Sequence, residues 1–496
     1  MLEGTVGRYG GKRAVALGEH ELTYAELDEE SNRVANALIK MGVGKDDRIA
    51  ILLSNTVEFV TLYFGIVKIG AIAVPLDTKY KLIELTSLFN DCQPKVLVVE
   101  SPLLELIVTA LPRLKSVKQV IEVGSDYKRQ FLSFQEMVDS SSAQRVDIEL
   151  LPEDPAHIAY TSGPTLKPRG VVLSHGGLAA EAMISATGFE QTDKDIVVLF
   201  ALPMHHAFGL VVIVLTSVCR GSTMVILSGL SIDNLLEMIE REQATMFMGV
   251  PFIHGLLVNF AEEEGVKHSL SSLRLCGSAG AALPVDVIEK FQKYYNLDIV
   301  DFWGMTESSA HVTCQSVNGG IKHGSVGKAL PGWKLKIVDD NGHEVPPKQS
   351  GEIAVMGPIM TGYYNHPEAT ARVVRDGWLY TGDTGMVDED GEVFLTGMKK
   401  DMIIAKGQNI YPSDIEEVLC THPKVGEAAV VGVSDKARGQ IIKAFVQLKA
   451  GEVATEQEIR SFCLQNLANY KVPKQVVVAS SLPRTATGEI CKEDLR

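Results

Sequence analysis

Short apolar runs rich in β-branched residues alternate with longer helical stretches along the first half of the chain. That alternation constrains the fold more than any other feature. Arg48-Ile-Ala-Ile-Leu-Leu53, Ala71-Ile-Ala-Val-Pro75 and Lys95-Val-Leu-Val-Val99 read as buried strands, with a helix over residues 57–69 between the first two. The pattern recurs at Ile196-Val-Val-Leu-Phe200, Thr223-Met-Val-Ile-Leu227 and Met246-Phe-Met-Gly-Val250. Uniformly apolar strands separated by helices are buried on both faces, which predicts α/β layering with parallel sheets. A helix start is legible at Leu22-Thr-Tyr-Ala-Glu-Leu-Asp28, where Thr23 is the N-cap and Glu26 completes a capping box; this helix stops near Gly42.

The texture changes after about residue 330. Lys334-Leu-Lys-Ile-Val338, Glu352-Ile-Ala-Val355 and Glu392-Val-Phe-Leu395 are short strands between turn signals such as Asp339-Asp-Asn-Gly342 and Asp388-Glu-Asp-Gly391. A boundary falls near Lys399-Lys400-Asp401. Beyond it, helices near 414–419 and 455–467 and strands near 427–433 and 442–448 make a small α+β domain of about 95 residues. The expected organisation is a large N-terminal domain over 1–398, with 330–398 as its β-rich part, and a small C-terminal domain over 399–496.

The chain has 496 residues, 46% of them hydrophobic, enough for large cores. Its 62 acidic and 47 basic residues give a net charge of -15, which argues against a general role on nucleic acid or anionic membrane. Seven scattered cysteines without a CxxC pair fit reduced thiols in a cytoplasmic protein. Gly4, Arg8, Gly10, Gly11 and Lys12 interrupt any early apolar run, as expected of a chain without a signal peptide. The most apolar stretch, 208–219, is too short to span a bilayer and reads as buried core.

Three stretches carry chemistry. Tyr160-Thr-Ser-Gly-Pro-Thr-Leu-Lys-Pro-Arg-Gly170 lies between strand-like runs, and Ser174 caps a following helix. Thr161, Ser162 and Thr165 offer hydroxyls, Gly163 allows close backbone approach and Lys167 supplies a cation, a set suited to a polyphosphate. It is not a Walker A loop, whose GxxxxGK[ST] pattern is absent. In Asp301-Phe-Trp-Gly-Met-Thr-Glu307, Thr306 can donate to a phosphate oxygen and Glu307 can hold Mg²⁺. In Leu379-Tyr-Thr-Gly-Asp-Thr-Gly385, Asp383 can accept both hydroxyls of a ribose. Taken singly, each has a plainer reading: a Gly/Pro hairpin, a strand-end carboxylate, a turn aspartate. No GxSxG elbow, HExxH or GxGxxG unit sits in supporting context, and His205-His206 has no further ligand at metal spacing.

In this order the three stretches resemble the adenylate-forming superfamily: acyl-CoA synthetases, aryl-CoA ligases, luciferases and peptide-synthetase adenylation domains. Leu202-Pro-Met-His-His-Ala-Phe-Gly209, Ser278-Ala-Gly-Ala-Ala-Leu-Pro284 and Gly407-Gln-Asn-Ile-Tyr-Pro412 with Glu416 extend the resemblance over nearly the whole chain. It implies a two-step reaction. An acid and ATP give an acyl-adenylate and pyrophosphate; thiol attack then gives a thioester and AMP, the small mobile domain rotating between steps about a hinge at Lys400. By position, the resemblance also implies that Ser278, Ala279, Gly280, Ala281, Asp301, Phe302 and Trp303 line the nucleotide, with Thr306 on phosphate, Glu307 on Mg²⁺ and Asp383 on ribose. His206, Ala207, Gly249, Val250, Gly277, Gly304, Met305 and His311 would line the acyl pocket, and Lys406 and Gly407 a pantetheine tunnel. The mainly small or apolar pocket favours a fatty, alicyclic or aromatic acid. The acceptor is CoA, a carrier-protein pantetheine or an amine, and an oligomer is compatible with the chain's size.

The ATP-site motifs depart from the family pattern in three places. Pro164, Leu166 and Arg169 stand where the loop has Thr, Gly and Lys; Met398 replaces an arginine that engages the nucleotide; and Glu489 occupies the position of the C-terminal lysine that bridges carboxylate and α-phosphate. At ~4 Å and an effective dielectric of ~20, each charge contact there is worth about 4 kcal/mol, so reversing the sign opposes adenylation. The expectation is a carboxylic acid–CoA ligase with weakened ATP activation; the alternative is a degenerate relative that binds acyl or nucleotide ligands without turnover.

Overall fold

A computed structural model of the chain describes residues 1–124, 130–160, 168–398, 402–405, 408–435, 439–449, 451–483, 490 and 492–495. It is a mixed α/β molecule with a large N-terminal portion of layered sheets and helices and a smaller C-terminal one. Among the described residues the strands form four sheets.

Two large sheets carry the alternating pattern. In the nine-stranded sheet, Arg13–Leu17, Thr223–Leu227, Ile196–Phe200, Met246–Gly249, Leu275–Ser278 and Ile299–Trp303 lie side by side and parallel. The eight-stranded sheet has a parallel core of Pro155–Tyr160, Ile72–Pro75, Arg48–Leu52, Val96–Glu100 and Gln119–Val123. Its other edge turns antiparallel at Gly170–Ser174, which pairs with Pro155–Tyr160 so that Tyr160 faces Gly170. The chain between those partners is the expected polyphosphate loop, and its residues 161–167, including Pro164 and Leu166, lie outside the described residues.

The predicted capping box forms: Glu26 N donates to Thr23 Oγ1 and Thr23 N to Glu26 Oε2, opening the helix Tyr24–Lys40. Ser174 likewise accepts from Gly177 N at 3.1 Å. The helices Tyr24–Lys40 and Val57–Lys68 cross where Gly65 meets Val34; a Cβ at residue 65 would lie 2.5 Å from Val34 Cγ1, so only glycine permits that approach. The apolar run 208–219 is buried as expected, in a π-helical stretch Phe208–Leu215 continued by Thr216–Arg220. No described helix is long and apolar enough to cross a membrane.

The β-rich part is a five-stranded antiparallel sheet of Lys334–Val338, Gly351–Met356, Trp378–Val387, Val374–Arg375 and Val393–Met398. The C-terminal sheet builds on the long hairpin Val425–Asp435 and Gly439–Leu448, packed against the helices Pro412–Cys420 and Glu456–Asn466 around a separate core. One stretch of this portion joins the N-terminal core: Ala468 and Tyr470 pack with Leu76, Tyr80 and Leu85.

Candidate active site

The sequence-predicted residues converge at the carboxyl ends of three neighbouring parallel strands. Gly249 is in register with Ser278, and Ser278 with Asp301, so three motifs separated in sequence form one edge. Open α/β sheets bind ligands there. Ser278 is fully buried, yet its Oγ finds no hydrogen-bond partner among the described residues, as suits a hydroxyl kept for a polar ligand. Burial raises the Asp301 carboxyl to about 7, opposed by the Phe302 N–H that Asp301 Oδ1 accepts at 3.1 Å.

Asp383 reaches this edge from the β-rich sheet. Trp303 Nε1 donates to Asp383 Oδ2 at 3.0 Å, and Asp383 N donates to Thr381 Oγ1 at 3.1 Å, so side chain and backbone are both oriented. Its antiparallel partner is Met398, whose backbone therefore lies at the same place.

Past Trp303 the chain turns sharply through Thr306–Ser308. Gly304 lies against the carbonyl of Ala310, leaving no room for a Cβ, and Ala310 itself holds φ 119°. A non-glycine residue there is strained, and such strain concentrates at functional sites. The turn presents half-buried Thr306 and buried Glu307, whose Oε1 accepts from Tyr363 Oη at 2.8 Å. Among the described residues no three metal-ligating side chains cluster, so a metal here would rely on Glu307 with substrate phosphates and water, the coordination Mg²⁺ prefers.

His206 is exposed to solvent and follows the half-buried His205. Desolvation by the surrounding protein, reinforced by His205, lowers it to about 4, so the ring is neutral at pH 7. Its Nδ1 accepts from Phe208 N at 3.2 Å, which assigns the proton to Nε2. Asn55, which the sequence reading missed, fixes the preceding turn by donating to Leu202 O and accepting from Met204 N, both at 2.8 Å.

The other expected pocket residues divide. Gly304 and Met305 are partly accessible, whereas Ala207, Gly249, Val250 and Gly277 are buried. His311 lies deeper still, stacked on Phe189 at 4.5 Å with Nδ1 3.1 Å from Ser185 Oγ. Around it runs a buried chain no motif announced, in which Glu181 accepts from Trp333 Nε1 and Ser185 Oγ. Of the residues expected to line the nucleotide, Ala279 is buried, Gly280 exposed, Ala281 half-exposed and Phe302 core. Thr161, Ser162, Gly163, Thr165, Lys167, Lys400, Lys406, Gly407 and Glu489 lie outside the described residues.

The C-terminal portion meets the helix Leu82–Cys92 of the N-terminal portion through buried charges. Lys471 Nζ lies 3.1 Å from Glu84 Oε1 and 3.2 Å from Asp414 Oδ2, and Ala468 N donates to Glu84 Oε2 at 2.9 Å. Burial raises Asp414 to about 7, with the Lys471 ammonium opposing; one ammonium shared by two carboxylates leaves a proton to be taken up there.

Comparison with known proteins follows this geometry. A family model for AMP-binding enzymes matches residues 2–364, and one for the AMP-binding enzyme C-terminal domain matches 414–489. The long-chain-fatty-acid–CoA ligase of Bacillus subtilis is 33% identical over 525 residues, covering 100% of this chain and 93% of its own. The o-succinylbenzoate CoA synthetase MenE of Bacillus subtilis, solved as a double mutant with a product analogue, superposes with a TM-score of 0.88 at 29% identity, over 100% of this chain and 98% of that one. The amide bond synthetase McbA of Marinactinospora thermotolerans gives 0.89 at 27%, with the same coverage. The chain belongs to the AMP-binding enzyme family.

Proposed function

We propose that this protein is an AMP-forming acid–thiol ligase, joining an apolar fatty, alicyclic or aromatic acid to CoA through an acyl-adenylate. The observation that carries the reading is the alignment of Ser278 with Asp301 on neighbouring strands, Asp383 bonded to the adjoining Trp303, and both Asp383 and Glu307 held by aromatic donors. A carboxylate oxygen of the acid attacks the α-phosphorus and pyrophosphate leaves; the thiol sulfur then attacks the acyl carbonyl and AMP leaves. Ser278, Asp301 and Trp303 orient the adenosine, Asp383 accepts from the ribose, and Thr306 donates to phosphate. His206, neutral with Nε2–H, offers a donor at the acyl end without repelling or capturing the acid's charge. Glu307 is the residue that would hold Mg²⁺, whose charge offsets that of the phosphates.

In this reading 1–398 binds the substrates, and 399–496 rotates about Lys400 to present Glu489 for adenylation and Lys406 and Gly407 for thioester formation. Glu489, Met398, Pro164 and Leu166 all weaken the first step, and the second survives. The resemblance to McbA favours one second reading, in which an amine takes the acyl group. An acid panel with ATP, Mg²⁺ and CoA, read for AMP and thioester beside Glu489→Lys, tests the proposal. AMP and thioester together support it; amide in place of thioester moves the acceptor. If neither form makes AMP while both bind an acyl-adenylate analogue, the reading is wrong.

A further inference from the structure

We infer that Tyr363 is a positioning residue for Glu307, coupling the metal-binding carboxylate to the strand that leaves the polyphosphate loop; the inference rests on the ligase reading above. Tyr363 lies in the short strand Gly362–Tyr363, which pairs antiparallel with Gly170–Ser174 so that Tyr363 faces Val171. Thr361 N donates to Val172 O and Tyr364 N to Gly170 O, locking the strand to the first residues after the loop. The side chain runs the other way, to Glu307. Its phenol Oη donates to Glu307 Oε1 at 2.8 Å. Two further bonds stitch the same segment to the Glu307 turn: Met360 N donates to Glu307 O at 2.7 Å, and Ser309 Oγ to Pro358 O at 2.7 Å.

The backbone bonds alone hold the turn in place. What the phenol adds is the direction of the carboxylate. A carboxylate that is itself buried, and whose metal sites would be completed by substrate and water, must face the phosphates before they arrive, and a fixed donor on one oxygen aims the other. Arg169, in the loop's exit, lies with its guanidinium carbon 5.9 Å from the Tyr363 ring centroid. One ring therefore touches both the loop's last cation and the metal carboxylate.

The test is Tyr363→Phe, which keeps the ring and removes only the donor. Binding of a non-hydrolysable ATP analogue is measured by calorimetry across a Mg²⁺ series, alongside AMP release from acid plus ATP and thioester formation from supplied acyl-adenylate. The expected result is about a tenfold rise in the Mg²⁺ concentration needed for half-maximal binding, with slower AMP release and the acyl-adenylate step much less affected. In a Glu307→Gln background the same change should leave the Mg²⁺ response where Glu307→Gln alone put it, because Tyr363 acts through that carboxylate. An unchanged Mg²⁺ response, an additive double variant, or equal loss in both steps with a lowered melting temperature overturns the positioning role. A wild type whose nucleotide binding ignores Mg²⁺ overturns the ligase reading of Glu307 and this role together.

Discussion

Trp303 and Gly304 are adjacent, and they shape the proposed nucleotide edge by opposite means. Trp303 contributes an N–H that no phenylalanine can replace, so Trp303→Phe should remove one of the contacts that orient Asp383 and weaken ATP binding about tenfold, roughly 1.4 kcal/mol, readable by calorimetry. Gly304 contributes the absence of a side chain. Gly304→Ala should drive the turn away from Ala310 and remove AMP formation, with a loss of roughly 1–3 kcal/mol in chemical denaturation. His206 should not add a step to the pH profile between 6 and 8, because its protonation falls near 4. Single residues were the least legible part of the sequence. Asp383 and Glu307 stood out as acids in turn motifs, but their partners did not: Tyr363 is 56 positions from Glu307, and Trp303 is 80 from Asp383. Nothing local marks a residue chosen for a partner that distant.

Elements were legible wherever their cause is local. The Thr23–Glu26 capping box is legible from residues three apart and the Ser174 cap from a serine between a strand-like run and a helix, and both are present. The apolar β-branched runs became parallel strands, since a strand buried on both faces needs only its own composition to be recognised. What escaped was pairing: the strand Gly362–Tyr363 is too short to carry a pattern, and Arg13–Leu17 reaches its parallel neighbour Thr223–Leu227 across more than half the N-terminal sequence. The π-helical turn in Phe208–Leu215 escaped as well, because a uniformly apolar run has no period to read. Helix contact through Gly65 gives a prediction at this scale. Gly65→Ala gains helix propensity but presses on Val34, and the overlap wins; the variant should lose roughly 1–3 kcal/mol in urea unfolding, and adding Val34→Ala should recover part of it.

At the scale of the whole molecule, the buried Glu84–Lys471–Asp414 group ties the two portions in this arrangement. Lys471→Met leaves two carboxylates buried without their cation and should cost about 3–5 kcal/mol, seen as a lowered melting temperature or as release of the C-terminal portion to protease. The group is also sensitive to pH. Asp414 titrates near 7 in the fold, above about 3.9 for an unfolded aspartate, so the folded state holds a proton the unfolded chain has lost between those values. Stability from this group is therefore fullest in acid and falls as pH rises toward 7. Glu84, Glu417, Tyr80, Tyr411 and Lys471 face it, so the comparison to make is wild type against Asp414→Asn, which should flatten that slope. Such a tie bears on the rotation proposed for residues 399–496, since turning the small portion means undoing it. The central claim remains that this is an AMP-forming ligase whose adenylation step is held back by Glu489. Acid-dependent AMP release with Mg²⁺-ATP, compared between the wild type and Glu489→Lys, tests it most directly. A slow wild type, accelerated tenfold or more by the lysine while thioester formation from supplied acyl-adenylate is unchanged, is the predicted result. No AMP from either protein, with both still binding an acyl-adenylate analogue, would contradict it.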